Sequence, residues 1–123
     1  MDIYAPCALG ATINNDTIYK LKADIVAGAA NNQLADELQH GKILQERGIV
    51  YAPDFLINAG GIINVYAELE NYDRAEIMRK TENIFNTTIE ILKNAKGNDV
   101  TTHNAALNIA KNRIAVRKQE NSK

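Results

Sequence analysis

Three short apolar stretches, each ending in small or amide residues, constrain the fold of this chain more than any other feature of its sequence. They read DIYAPCALG at residues 2–10, DIVAGAANNQ at 24–33 and GIVYAPD at 48–54. Short apolar runs without polar alternation are typical of parallel strands that are buried on both faces. In α/β proteins, ligands bind at the carboxyl edge of the sheet, where such stretches end. The pattern therefore predicts about half of a nucleotide-binding sheet.

Helix signals separate the three predicted strands. Asn15 and Asp16 can cap a short helix over residues 17–22 through their side-chain oxygens. Regularly spaced leucines predict a second helix between the second and third strands. We expect Gly41 to interrupt this second helix and Gly48 to cap its end, because glycine favours a stop or a left-handed turn.

Strand signals stop at Asp54, and the rest of the chain is predicted to be helical. Asp54 can cap the first of these helices. The adjacent Gly60 and Gly61 imply a bend or a very close neighbour, because each glycine costs roughly 1 kcal/mol in a helix. Asp73 and Glu76 form a capping-box-like start for a long helix. The expected fold class is α/β, with about three parallel strands followed by a C-terminal helical region.

Composition narrows the classes of function. With 46% hydrophobic residues and a formal charge of −1, the chain should form a folded core and has no charge excess for nucleic acid or anionic membranes. A single cysteine, Cys7, excludes an intramolecular disulfide and a cysteine-rich zinc site, and we expect a buried, unreactive thiol. No apolar run approaches the roughly 18 residues of a membrane helix, and no secretory leader opens the chain. These features favour a cytoplasmic protein without a bound metal.

Small and amide residues at the strand ends are candidate ligand contacts. Asn31 and Asn32 are able to hold ribose hydroxyls or a carboxylate, although asparagines also suit a plain turn. The segment PCALG at 6–10 suits either a nucleotide ring or an ordinary turn, and NAGG at 58–61 suits either a ligand or a helix–helix link. His103 is expected to be a packed or capped histidine. The sequence contains no GxGxxG, Walker A, HExxH or paired-cysteine motif.

Taken together, four segments resemble the Glu/Leu/Phe/Val dehydrogenase family, and its leucine-specific members most closely. They are DIYAPCALGATI at 2–13, VAGAANNQL at 26–34, GIVYAPD at 48–54 and INAGGIINV at 57–65. The resemblance implies a partial Rossmann-like sheet. Residues 1–56 would be part of an NAD-binding domain, and residues 57–123 would be a helical region that forms the hinge to a missing substrate domain.

The resemblance also implies an activity for the complete enzyme, which would oxidatively deaminate L-leucine or another branched-chain amino acid to the 2-oxo acid and ammonia while reducing NAD. The implied cofactor-binding residues are Cys7, Ala8, Leu9, Ala30, Asn31, Asn32 and Asn58. The implied substrate-binding residues are Asn32, Ile62 and Val65. No catalytic residue is implied, because the family's catalytic lysines and aspartate and its glycine-rich dinucleotide turn have no match here. We therefore expect this chain alone to be inactive.

Two alternatives stay open from the sequence. The chain could be a non-catalytic module that self-associates through uncovered sheet edges and its helical tail. It could also belong to the same family with phenylalanine or valine as the substrate. A homo-oligomer is expected in either case.

Overall fold

The computed structural model describes residues 1–122, and within them one parallel sheet precedes a run of helices. The strands are β1 (Ile3–Tyr4), β2 (Ile25–Val26) and β3 (Val50–Tyr51), in the order β1-β2-β3. The helices are α1 (Glu37–Glu46), α2 (Asp54–Ile57), α3 (Gly60–Glu70), α4 (Arg74–Asn98) and α5 (Thr102–Asn121). The predicted α/β class, with three parallel strands followed by helices, is confirmed.

Only one face of the sheet is buried by the described residues. The buried row crosses the strands at Tyr4, Val26 and Tyr51, and it packs against the main apolar cluster that includes Ile13 and Leu44. The opposite row is Ile3, Ile25 and Val50, which are 54%, 37% and 42% exposed. The prediction of strands buried on both faces is therefore wrong for residues 1–122, because α1 and the β1–β2 link pack on the same side.

The link between β1 and β2 forms a single 3-10 turn, Ile18–Lys20, which is shorter than the helix predicted over residues 17–22. Neither Asn15 nor Asp16 caps it. Instead Asn14 Oδ1 accepts the backbone N–H of Asp16 at 3.0 Å, and such local side-chain bonds compete with helix formation.

Helix α1 is tied to the preceding loop by its buried histidine. Asp36 caps the helix, with Oδ1 accepting the N–H of Gln39 at 2.7 Å. His40 is 2% exposed, and its Nδ1 accepts the N–H of Asp36 at 2.9 Å. Its Nε2 lies 3.1 Å from Asn15 Oδ1, so both ring nitrogens are paired. These contacts stabilise the first turn of α1. The helix also continues through Gly41, so the expected interruption there is wrong.

The double glycine of the C-terminal region coincides with a break between two helices. Helix α2 ends at Ile57 and α3 begins at Gly60, so the predicted bend is confirmed. Among residues 1–122 no close protein neighbour accompanies the bend, because a Cβ on Gly61 would meet nothing within 4 Å. A Cβ on Gly60 would lie at an ordinary 3.9 Å from Thr81 Cγ2.

The two predicted aspartate caps behave differently. Asp73 caps α4 as expected, with Oδ1 accepting the N–H of Glu76 at 2.8 Å. Asp54 does not cap α2, because Pro53 occupies the N-cap position and Asp54 is the first helical residue. Its carboxylate accepts a backbone N–H from the loop after β2 instead. None of the helices formed by residues 1–122 combines the length and apolar character needed to cross a membrane.

Replacing Gly41 by alanine should stabilise the protein. A Cβ there would meet Thr101 Cβ and Cγ2 at 3.8 Å, an ordinary contact, and alanine gains about 0.5–1 kcal/mol over glycine inside a helix. Urea unfolding should show this gain. The matched change Gly48→Ala should destabilise by about 1 kcal/mol, because Gly48 has a φ of +70°. A loss of stability in Gly41→Ala would show that α1 is not continuous at this position.

Candidate functional site

The loops that follow β1 and β2 pack directly on each other at the carboxyl edge of the sheet. Gly28 lies so close to Pro6 that a Cβ would overlap the nitrogen and carbonyl oxygen of Pro6. Ala27 donates its N–H to the Tyr4 carbonyl at 3.0 Å, and Ala30 donates to the Pro6 carbonyl at 2.9 Å. Glycine is required at position 28 because two backbones meet there without space for a side chain.

A second close approach joins the far ends of the same two loops. Ala11 donates its N–H to the Asn32 carbonyl at 2.7 Å. A Cβ on Gly10 would lie 3.0 Å from the Asn31 carbonyl oxygen and 3.1 Å from that of Asn32. The two loops therefore form one surface in which backbone groups bond to each other.

The outer part of the first loop is exposed. The Cys7 thiol is free and exposed, which corrects the expectation of a buried thiol. Ala8 and Leu9 are exposed beside it, and Leu9 is 73% exposed. Of this segment Pro6 is buried, because it packs under Gly28, and the chain turns outward after it. Among residues 1–122, no group of three or more His, Cys, Asp or Glu side chains is arranged to hold a metal ion.

The loop after β2 meets the junction between α2 and α3 through asparagines. The Asn58 side-chain amide donates to Asn31 Oδ1 and, at 3.3 Å, to the Ala29 carbonyl. Asn32 has a left-handed φ of +52° and an exposed side chain, and its N–H donates to the Asp54 carboxylate. The structure thus brings Asn31, Asn32 and Asn58 together, although they are distant in sequence.

Gln33 holds the same loop from inside and was missed by the reasoning from sequence. It is fully buried, and its Nε2 donates to the carbonyl oxygens of Gly28 at 2.6 Å and Ala30 at 2.9 Å. Its Oε1 has no hydrogen-bond partner among the described residues. No sequence signal marks this role, because glutamine after two asparagines is equally typical of a surface turn. Ala30 is also buried, so its backbone contributes more to this surface than its methyl group does.

An open cleft of about 640 Å³ lies where this loop faces α2 and α3. Its lining residues are Ala29, Asn31, Phe55, Asn58 and Ile62. No charged side chain is among them, so the cleft suits a neutral, partly polar group. Val65 is outside the lining but follows Ile62 by one helical turn on the same face of α3, where both are exposed.

Phe55 lines the cleft and was also missed by the reasoning from sequence. It is 43% exposed on the cleft side, and its ring meets the His103 imidazole edge-on with centroids 5.7 Å apart. His103 is itself buried, and its Nε2 lies 3.2 Å from Glu37 Oε2 on α1. The prediction of a packed or capped histidine is confirmed in its first form, because His103 is buried, and through its contact with Phe55 it supports the wall of the cleft.

A buried tyrosine lies beneath Asp54. Tyr51 is 4% exposed, and its hydroxyl oxygen accepts the N–H of Asp54 at 3.4 Å. Burial raises the pKa of the Tyr51 hydroxyl far above its usual value, and the nearby Asp54 charge raises it further. The phenol therefore stays protonated over the whole physiological pH range.

Comparison with known proteins identifies the family. Residues 1–121 match the model of the Glutamate/Leucine/Phenylalanine/Valine dehydrogenase family. The chain belongs to this family. The carboxyl edge with its paired asparagines is thus part of an amino acid dehydrogenase fold.

Relatives within the dehydrogenase family align over nearly the whole chain. Leucine dehydrogenase of Bacillus cereus is 50% identical over 121 residues, which are 98% of this chain and 33% of that protein. Phenylalanine dehydrogenase of Caldalkalibacillus thermarum is 43% identical over 121 residues, covering 98% of this chain and 32% of that protein. The crystal structure of L-tryptophan dehydrogenase from Nostoc punctiforme superposes with a TM-score of 0.92 at 48% identity, over 97% of this chain and 35% of that one. This chain therefore spans about a third of the length of these relatives.

The ionisation of Tyr51 should make the folded state less stable in alkali. An unfolded tyrosine ionises near pH 10, whereas the buried Tyr51 has a raised pKa. The stability due to this shift is complete below about pH 10 and is lost as the pH rises towards the folded pKa, by at most about 1.4 kcal/mol per pH unit. Urea unfolding of Tyr51→Phe should show a flatter decline above pH 10 than the unsubstituted protein. The exposed Tyr19→Phe should not, and equal declines in both variants would contradict the assignment.

Proposed function

We propose that this chain forms the nicotinamide side of an NAD site in an amino acid dehydrogenase and lines part of its substrate pocket. One observation carries the proposal: the loop after β2 and the α2–α3 junction enclose an uncharged cleft at the carboxyl edge of a parallel sheet, and backbone bonds hold the loop after β1 against the loop after β2. The proposed cofactor-binding residues are Cys7, Ala8, Leu9, Ala30, Asn31, Asn32 and Asn58. Asn32, Ile62 and Val65 are the proposed substrate contacts.

The residues at this edge fit a neutral ring and a ribose better than a phosphate. The exposed Asn32 amide makes no hydrogen bond within residues 1–122, so it is available to ribose hydroxyls or to a substrate carboxylate. Small residues in both loops let a ring approach the backbone closely. The pyrophosphate would bind to a glycine-rich turn in another part of the enzyme. When bound, NAD supplies the hydride acceptor, and the residues of this chain bind and orient it.

For the complete enzyme we infer oxidative deamination of an L-amino acid to a 2-oxo acid and ammonia. L-leucine or another branched-chain amino acid is the proposed substrate, because Ile62 and Val65 present branched apolar side chains on one face of α3. Phenylalanine and valine are the alternatives. Apolar pockets discriminate by only about 1–3 kcal/mol per methylene, and relatives of this chain are named for leucine, phenylalanine and tryptophan.

We also propose that the chain divides into residues 1–56, part of the NAD-binding domain, and residues 57–123, a helical hinge region. Two separate apolar clusters support this division. The buried residues of the first lie within residues 13–51, and the second joins Leu56, the last residue of the first part, to Ile91, Ala95, Ala105 and Ala106 in the helical region.

The proposed site should bind the nicotinamide half of NAD and not its adenosine half. In ¹⁵N-labelled protein, nicotinamide mononucleotide should shift the side-chain amide signals of Asn31, Asn32 and Asn58, whereas AMP should leave them unchanged. Asn108 on α5 serves as the internal control. Shifts produced by AMP alone, or by neither compound, would contradict the site.

The same samples should form no NADH from NAD and leucine, because no titratable side chain lines the cleft to take a proton from the substrate amine.

The second candidate function, self-association, is favoured by a separate observation on α3. Ile62, Val65, Tyr66 and Leu69 form an apolar stripe at helical spacing, and Leu69 is 75% exposed. Contiguous exposed apolar surface of this kind is typical of an interface.

If the α3 stripe mediates self-association, sedimentation velocity should reveal a homo-oligomer that dissociates in Leu69→Glu. Leu38→Glu is the matched control, because Leu38 is similarly exposed at 69% but lies on α1. A monomer at high concentration would rule out this role. Equal dissociation by both variants would assign the interface to another surface.

A further inference from the structure

Asp54 is a buried carboxylate without a cationic partner. It is 8% exposed, and no lysine, arginine or histidine among residues 1–122 forms an ion pair with it. Its Oδ2 accepts the backbone N–H of Asn32, which lies 22 positions earlier in the chain. Removing a carboxylate from water costs free energy unless its oxygens are hydrogen-bonded. Burying this carboxylate without a cation is therefore costly, and the bond to Asn32 offsets part of that cost.

The group that Asp54 holds is itself in an uncommon conformation. Asn32 has a φ of +52°, in the left-handed region that residues with side chains rarely occupy, although asparagine tolerates it better than most. Uncommon backbone conformations concentrate at functional sites, where surrounding contacts maintain them. Here the left-handed turn points the Asn31 side chain to Asn58 and leaves the Asn32 amide exposed.

The other contacts of this loop engage carbonyl oxygens, and only Asp54 among residues 1–122 accepts the N–H of Asn32. Gln33 bonds to the carbonyl oxygens of Gly28 and Ala30, which lie before the turn. Ala11 bonds to the Asn32 carbonyl on the far side of the residue. Asp54 thus completes the restraint at the peptide that joins Asn31 to Asn32. Because Asp54 begins α2, it also links the helical region to the loop after β2.

We propose that Asp54 is a positioning residue whose carboxylate fixes the left-handed turn at Asn32 and so orients the Asn31 and Asn32 side chains for the ligand. That the ligand is the ribose end of NAD rests on the function proposed above. Asp54 does not touch the ligand itself, since its carboxylate is buried and engaged by the backbone.

The test compares amide hydrogen exchange at Asn32 and affinity for nicotinamide mononucleotide in Asp54→Ala and Asp54→Asn. Asp73→Ala is the matched control, because Asp73 also accepts a backbone N–H but does so at the start of α4. Asp54→Ala should speed Asn32 exchange at least tenfold and weaken binding about tenfold, since hydrogen bonds to charged groups are the stronger ones. Asp54→Asn should change both less, because its amide oxygen still accepts. Asp73→Ala should lower the urea midpoint and leave both readouts unchanged.

The outcomes separate this role from general destabilisation. Unchanged exchange at Asn32 in Asp54→Ala would overturn the proposal, as would faster exchange with undiminished affinity. If Asp54→Ala does not fold, Asp54→Asn decides on the same criteria. If the unsubstituted chain binds no nicotinamide mononucleotide, the proposed NAD site is wrong, and the Asn32 exchange alone supports or overturns the positioning role.

Discussion

The contact between Gly28 and Pro6 is the constraint on which the rest of the carboxyl edge depends. Two backbones meet there without room for a Cβ, and this closeness lets Ala30 bond to the Pro6 carbonyl. A side chain at position 28 would separate the loops and break that bond. Because most of these backbone groups pair with each other, the Asn58 amide bonds to the backbone only at Ala29, and the Asn32 side chain makes no bond within residues 1–122. The exposed Asn32 amide is then available for a ligand at an edge made of uncharged residues.

Polar contacts, more than a shared apolar core, join the sheet to the helical region. The two apolar clusters are separate, one under the sheet and one between α2, α4 and α5. Between them run the bonds from Asp54 to Asn32 and from Asn58 to Asn31, and the pair of His103 with Glu37. The first two lie at the candidate site and the third supports its wall. The geometry of the cleft therefore depends directly on how the two parts are held together.

The reasoning from sequence succeeded where the controlling interaction is local. Asp73 and Glu76 lie three residues apart, so the start of α4 could be predicted without knowing the fold, and the short apolar runs sufficed to predict the strands. It failed where a distant group decides the outcome. Asp54 has the sequence position of a cap, but its carboxylate accepts the N–H of Asn32 from the loop after β2. Gly41 has the sequence position of a helix stop, but α1 continues through it and packs there against Thr101. The roles of Gln33 and Phe55 arise only from tertiary neighbours.

The cleft at the carboxyl edge of the sheet is lined by uncharged side chains, and this limits the chemistry that it can perform. The cleft is lined without an acid or a base by Ala29, Asn31, Phe55, Asn58 and Ile62. The carboxylate of Asp54, buried nearby among residues 1–122, accepts the backbone N–H of Asn32. Deaminating an amine requires a group that accepts a proton within hydrogen-bond reach. A surface that holds a ring and a ribose in one orientation provides proximity and alignment only. Under the proposed function, the proton-transfer groups would therefore face this cleft from the opposite side, and the restraints on Asn31 and Asn32 would set the position from which the cofactor meets them.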